Sequence, residues 1–409
     1  MNYQSRHIAL VMATIVIVGS IVVLEKGKAP GGKGMPNTVP VEVISPLETS
    51  LKEKTKDTKM VVTAAGDTEE VKKQVMTDSD RIQAKIKKYE RAKEITTPDG
   101  FVNTDSVKVA DLVGKKVILV DFWTYSCINC ERTLPYLNAW NERYADQGLE
   151  IIGIQTPEFE FEKKYENVKR AVEKFGIKYP VVLDNDFSTW QAYRNQYWPR
   201  KYLIDIDGFI VYDHIGEGGY DETEDIIRKL LAERQTVLGE KATIASLPMS
   251  QPKGIESVPQ GRITPEIYFG YHRVEALTPA LKASCMDTVC DYMVPANISL
   301  NKFALDGAWR VATESAAHMD GTGSVTLHFS ASAVNLVAES KGAPVPLRIL
   351  LDGAPIDTSV AGADVSSGIV SVDAPRLYRI VNLKGDIGEH TLRIEVPQGA
   401  FEAYTFTFG

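Results

Sequence analysis

Two cysteines three positions apart, Cys127 and Cys130, follow the run Val117 to Trp123, VILVDFW, which is apolar but for one carboxylate. A helical stretch opening with Glu131-Arg132-Thr133-Leu134-Pro135 comes directly after them. The order strand, Cys-x-x-Cys, helix places the first cysteine at a helix N-terminus, where unpaired backbone N–H groups and the positive dipole end stabilise a thiolate. Cys127 is therefore expected to attack a disulfide. Cys130 lies one helical turn on, within reach of the resulting mixed disulfide, and is expected to resolve it. Asp121 sits six residues before Cys127. Buried beneath a dithiol, its pKa would rise into a range suited to relaying the resolving thiol's proton; at a strand end it would simply meet water. Trp123 either lines this site or belongs to the core. Tyr125, Ile128 and Asn129 adjoin the thiols and are expected to shape their surroundings.

Other chemistries of a dithiol fit less well. Covalent haem needs His after the second cysteine, and Glu131 stands there. A four-cysteine zinc site would have to recruit Cys285 and Cys290, whose separation of five exceeds the usual gap, and none of the six His residues clusters nearby. No metal or cofactor is expected. Cys285 and Cys290 enclose Met286-Asp287-Thr288-Val289. In an oxidising compartment they read as a local structural disulfide, or as a second redox relay drawing on the first pair.

The elements that must position the dithiol are partly legible. VILVDFW suits a strand buried on both faces of a mixed or parallel sheet. Pro199, in Tyr197-Trp198-Pro199-Arg200-Lys201-Tyr202, leads into Leu203 to Tyr212, a hairpin turning at Asp207-Gly208. A proline entering a strand beside an active site raises a cis-peptide hypothesis. Glu158, in Thr156-Pro157-Glu158-Phe159, is either a carboxylate near the dithiol or, with Glu160 and Glu162, the acidic start of a helix to about Phe175.

From Thr264 the pattern changes to short alternating runs, such as Val325 to Phe329, Leu347 to Leu351 and His390 to Val396, separated by Gly321-Thr322-Gly323, Asp352-Gly353 and Gly385-Asp386. That pattern predicts an antiparallel β-sandwich, plausibly a jelly roll. Trp309 or Tyr292 is either a sugar-stacking platform or part of its core. Gly239 to Arg262 carries Pro248, Pro252, Pro259 and Gly254 and reads as a boundary. Ser79 to Glu94 reads as a short docking helix at the end of a flexible tether that begins at Glu25. Ile8 to Leu24 is an uncharged run of about 17 residues with no persuasive cleavage site after it, and it reads as a single-pass anchor. Lys26, Lys28 and Lys33 follow it, against the usual inside-positive bias for an N-in anchor. The expected order is an anchor at 1–24, a tether at 25–94, a redox domain at 95–238, a linker at 239–263 and a β domain at 264–409.

Length and composition agree with several units. The chain has 409 residues, 44% hydrophobic and 24% charged, enough for two or three domains and too apolar for general disorder. Its formal net charge of −8 offers no basic surface for phosphate backbones, so nucleic acid is not expected as a partner.

The VDFW strand, the dithiol six residues after its Asp, the proline five residues after Cys130 and the W-P-x-x-Y-L-I-D-x-D-G strand together resemble a thioredoxin-fold oxidoreductase of the TlpA type. WTYSCINC, GIQTPEFEFE, YWPRKYLIDIDG and the following β-rich block resemble, over about residues 95–409, the extracytoplasmic C-terminal region of DipZ proteins. The resemblance implies that Cys127 and Cys130 form the redox pair and that Pro199 is a cis-proline whose neighbouring backbone, with Trp198 beside it, holds the substrate. It also implies an α/β thioredoxin-like domain joined to a carbohydrate-binding-module-like β domain, with the catalytic part outside the cytoplasm. DipZ proteins typically carry a multi-span electron-transporting domain where this chain has one span and a tether, which leaves the electron source open. The expected activity is thiol–disulfide exchange, more readily reducing than forming disulfides. Its partners would be exported proteins or a thiol–disulfide protein, with a membrane electron donor and, through the β domain, a glycan. The rivals are a glycan- or partner-binding protein whose dithiol is structural, and a peroxidase, which the Cys-x-x-Cys pattern does not suit.

Overall fold

The computed structural model describes residues 77–255, 261 and 263–409. The expected anchor at Ile8 to Leu24 and nearly all of the tether lie outside the described residues, and among the described ones no helix is long and apolar enough to cross a membrane.

Alternation along β3 (Val117–Trp123) explains the first domain: all seven side chains are buried, Ile118, Val120 and Phe122 in one core and Val117, Leu119 and Trp123 in another on the opposite face. Such a strand must be central. It pairs in parallel with β4 (Leu149–Gln155), which pairs in parallel with β5 (Val181–Leu183). On its other side it runs antiparallel to β6 (Arg200–Ile204), the first arm of a hairpin with β7 (Phe209–Ile215). Gly208, at φ +85°, makes the left-handed turn between those arms. Short strands β1 (Glu90–Arg91) and β2 (Gly100–Val102) complete a seven-stranded sheet in the order β1-β7-β6-β3-β4-β5-β2. The connections carry α2 (Val109–Leu112), α3 (Ile128–Tyr144), α4 (Tyr165–Lys174) and α5 (Ser188–Ala192), and α6 (Tyr220–Val237) follows the last strand.

Two expected boundaries move. The N-terminal helix is shorter than predicted, α1 (Asp78–Ile86), and the redox domain starts before residue 95, because the backbone of Glu90 and Arg91 pairs with Ile210 and Phe209. Arg81 and Lys85 pin α1 to the hairpin turn: Lys85 Nζ lies 2.6 Å from Asp205, 2.8 Å from Asp207 and 2.6 Å from Glu233. The linker, in turn, is strapped to α6. Ile244 is buried with the redox core, Arg228 donates to Leu247 O at 2.7 Å, and the Ser250 N–H donates to Glu224 at 2.6 Å.

The C-terminal strands are antiparallel, as their alternation requires, but they do not form two separate sheets. The 15-residue β11 (Ala316–Ser330) pairs along one edge with β10 (Lys302–Val311). Along the other it pairs first with β19 (Glu402–Phe408) and then with β18 (Glu389–Val396), so it belongs to both halves. The order continues from β18 through β13 (Val345–Leu351) and β16 (Ile369–Val372) to β15 (Val365–Ser366), and from β19 through β12 (Ala333–Glu339) to β17 (Arg376–Asn382). Near β15 the chain returns to β17: Gly362 donates to Ile380 O at 2.9 Å and Asn382 to Val360 O at 2.9 Å. The expected sandwich is thus one continuous sheet, nearly barrel-shaped, around a single core that includes Trp309, Phe303 and Phe406.

Candidate active site

The dithiol sits where β3 gives way to α3. Cys127 is the N-cap residue of α3, with extended backbone, and its Sγ accepts the Cys130 N–H at 3.3 Å. Its side chain is half-buried, whereas Cys130 is 1% exposed, and both sulfurs are free thiols. Only Cys127 can be approached from solvent. Hydrogen bonds from the Cys130 thiol and backbone pull the Cys127 pKa down, but burial and the carboxylates of Glu266 and Glu158 outweigh them and hold it above the ordinary thiol range. The helix N-terminus is therefore opposed by two acids: Glu158, for which a place near the dithiol was one of the alternatives its sequence offered, and Glu266, which carried no signal. Cys130 is pushed up much further, first by burial and then by donating to Cys127.

Beneath the pair, Asp121 is 1% exposed, and burial lifts its pKa to about 7 against the opposing pull of Lys201. Lys201 is fully buried, is Asp121's cross-strand partner in β6, and has its own pKa lowered by burial. Its Nζ donates to Gly216 O at 3.1 Å, and both it and Asp121 act electrostatically on Cys130. Among the described residues, Oδ1 of Asp121 has no hydrogen-bond partner. The arrangement can take the Cys130 proton near neutral pH.

The rim is built by the loop after β4. Ser126 Oγ donates to Glu162 Oε1 at 2.6 Å, and Glu162 Oε2 accepts the backbone N–H groups of Glu158 at 2.6 Å and Phe159 at 3.0 Å. Glu162 is buried, and desolvation lifts its pKa to about 7. The loop is thereby clamped to the residue beside Cys127. From the C-terminal domain, β8 (Ile267–Tyr268) and the turn after it reach the same place. Arg273 Nη1 lies 2.6 Å from Glu158 Oε1, and Tyr268 OH donates to Glu158 at 3.0 Å and to Glu266 at 2.7 Å. Across the mouth, the Trp198–Pro199 peptide is cis and Trp198 Nε1 donates to Thr156 O at 3.0 Å.

Of the residues expected to line the substrate site or shape the thiols' surroundings, three are buried. Trp123 packs in the core against the Cα of Gly153; Tyr125 packs on Phe161 and donates to its carbonyl at 3.4 Å; and Ile128 is 5% exposed. All three side chains pack inward. Asn129 is half-buried and holds Arg132 Nη2 at 2.9 Å, while Trp198 and Glu158 remain at the mouth. Glu158 does not open a helix: a short 3-10 turn at Glu160–Lys163 precedes α4. Lys201 was missed: it stands beside Arg200 at the start of RKYLI, where two adjacent cations read as a strand end meeting water, and only its burial opposite Asp121 sets it apart. Glu162, Tyr268, Arg273 and Glu266 carried no sign of a role.

Elsewhere, Cys285 and Cys290 are joined as a disulfide with Cα atoms 5.8 Å apart. Trp309 is fully buried and donates to Asp306 O at 2.8 Å, so it is a core residue and offers no platform to a sugar. Tyr292 is half-buried on β9 (Val289–Tyr292) and packs against the same core.

Two family models match the chain: AhpC/TSA family over residues 89–213 and Thioredoxin like C-terminal domain over residues 264–409. Protein DipZ of Mycobacterium tuberculosis is 33% identical over 324 residues, which cover 77% of this chain and 43% of that protein. The chain thus spans less than half the length of DipZ. Thiol-disulfide oxidoreductase ResA of Bacillus thuringiensis is 34% identical over 134 residues, 32% of this chain and 74% of ResA. Thiol-disulfide oxidoreductase YkuV of Bacillus subtilis is 27% identical over 142 residues, 35% of this chain and 95% of YkuV.

Proposed function

Because the chain belongs to the thiol–disulfide oxidoreductases, we propose that it is a membrane-anchored, extracytoplasmic member that reduces disulfides in exported proteins or in a thiol–disulfide partner. The observation that carries this reading is the asymmetry of the pair, a half-buried Cys127 capping α3 in front of a fully covered Cys130. The Cys127 thiolate attacks one sulfur of a substrate disulfide held against the Trp198–Pro199 loop; that S–S bond breaks, and the departing thiolate takes up a proton. Cys130 then loses its proton to Asp121 and attacks Cys127 Sγ, expelling the second substrate thiol. Two electrons pass to the substrate, the protein is left with a Cys127–Cys130 disulfide, and a thiol or membrane-borne electron donor must restore it.

Replacing Cys130 by Ser removes the resolving step and is expected to accumulate mixed disulfides through Cys127, seen on a non-reducing gel and absent when Cys127 is also replaced. No Cys127-dependent adduct would leave the dithiol without this role. Direction is read from the reduction potential of the pair: a value near ~−270 mV fits a reductase and one near ~−120 mV an oxidase. The anchor rests on the apolar run Ile8 to Leu24 and the outward orientation on the likeness to DipZ, and external protease should digest the redox domain on intact cells. Its survival beside a digested outward-facing control would reverse the orientation.

A further inference from the structure

Glu158, whose carboxylate acts electrostatically on Cys127, is held from two domains. Glu158 belongs to the loop that Glu162 clamps to Ser126, next to Cys127; its carboxylate is held by Tyr268 and Arg273 of the C-terminal domain. The Arg273 guanidinium also lies over the Tyr268 ring at 3.6 Å and the Phe159 ring at 5.5 Å, which fixes its position on both sides of the domain boundary. Glu266 shares Tyr268's hydroxyl and is open to solvent. The charged and titratable groups acting on Cys127 are therefore Cys130 from α3, Glu158 from the β4 loop, and Glu266 from the segment before β8, with Arg273 and Tyr268 paired to them.

We propose that the C-terminal β domain is a working part of the redox site, in which Arg273 and Tyr268 position and neutralise Glu158 and so govern how readily Cys127 ionises. Arg273 is a positioning residue acting through Glu158, and Glu266, exposed as a residue but with its carboxyl pushed up to about 8 by desolvation and then by Glu158, is a second acid that opposes the thiolate once it ionises. An unpaired carboxylate at this mouth would disfavour the thiolate, and thiolate is the attacking species. The β domain thus limits or permits the first step of exchange without touching the sulfur.

This inference rests on Cys127 being the attacking thiol. Its test is the pH dependence of iodoacetamide alkylation at Cys127 in the reduced full chain, read by peptide mass spectrometry. Arg273→Met is expected to move the midpoint up by roughly half a unit to one unit, a three- to tenfold loss of thiolate at fixed pH, and Arg273→Lys to restore it. Glu158→Gln and Glu266→Gln are expected to move it down, and Arg273→Met to have little further effect once Glu158 is Gln. Glu266 is exposed, so its variant reports even where a clamp variant fails to fold. Midpoints unchanged in all of these, with Cys127 still alkylated, overturn the β-domain role alone. Alkylation that spares Cys127 and marks Cys130 overturns the assignment of the attacking thiol instead.

Discussion

At the residue scale, the site works through unequal environments for chemically similar groups. Cys127 and Cys130 are both thiols, yet one is reachable and the other is covered and donates to it, which assigns attack and resolution without any third nucleophile. Asp121 and Lys201 are buried charges in two strands that register opposite one another. Burial raises Asp121 to about 7, so the protonated carboxyl is the form the fold favours. Stability from this group is present below the ordinary carboxylate range and is lost as pH rises towards 7, by at most about 4 kcal/mol. In urea titrations between pH 4 and 8 we expect that slope in the wild type, shared with Glu162, and a smaller one in Asp121→Asn/Lys201→Met. Both residues are replaced because either alone leaves a buried charge without its partner. An undiminished slope in the double variant would assign the pH dependence elsewhere.

At the element scale, the short α1 is held by charge rather than by packing: none of its residues is buried, while Lys85 fills a notch between Asp205, Asp207 and Glu233. Arg81 and Lys85 hold Asp207 down to about 2. A depressed carboxylate contributes stability above its ordinary range and loses it as pH falls towards 2, so the docking of α1 is firm at neutral pH and released in acid. Lys85→Met leaves three acids facing one another with Arg81 alone to balance them. We expect trypsin to cut at Lys87 and Lys88 sooner in this variant than in the wild type, with the redox domain otherwise intact. Equal cutting rates would mean that the notch does not hold the helix. The Ser126–Glu162 clamp is the same device at the other end of the sheet, fixing a loop by satisfying its backbone donors.

At the scale of the whole molecule, one of the redox domain's cores extends into the β domain. Phe159 and Phe161 of the β4 loop meet Tyr404 of β19 at 5.1 and 4.8 Å between ring centroids, and Val337 and Leu377 join the same cluster as Trp140 and Leu137. Tyr404 also donates to Glu339, and Arg379 of β17 lies 2.8 Å from Glu131 in the first turn of α3. Tyr404→Ala removes a buried aromatic from that contact and is expected to cost about 3 kcal/mol or more, lowering the unfolding midpoint of both domains together. Separate transitions, with only the β domain destabilised, would show that the shared cluster does not couple them.

What could be read from the chain was local: the spacing of Cys127 and Cys130, the apolar strand before them, the hairpin at Asp207-Gly208 and the alternation after Thr264 depend on neighbours in sequence, where period and turn chemistry act. The burial of Trp123, Tyr125 and Trp309 was not legible, because an aromatic side chain serves equally as core or as a binding surface until the facing elements are known. Nor was the closure of the last strands into one sheet, which depends on β11 bending to serve both halves. The charge around Cys127 was decided by tertiary structure alone. Glu158 and Arg273 stand 115 residues apart, and only the packing of β8 against the β4 loop brings them within 2.6 Å.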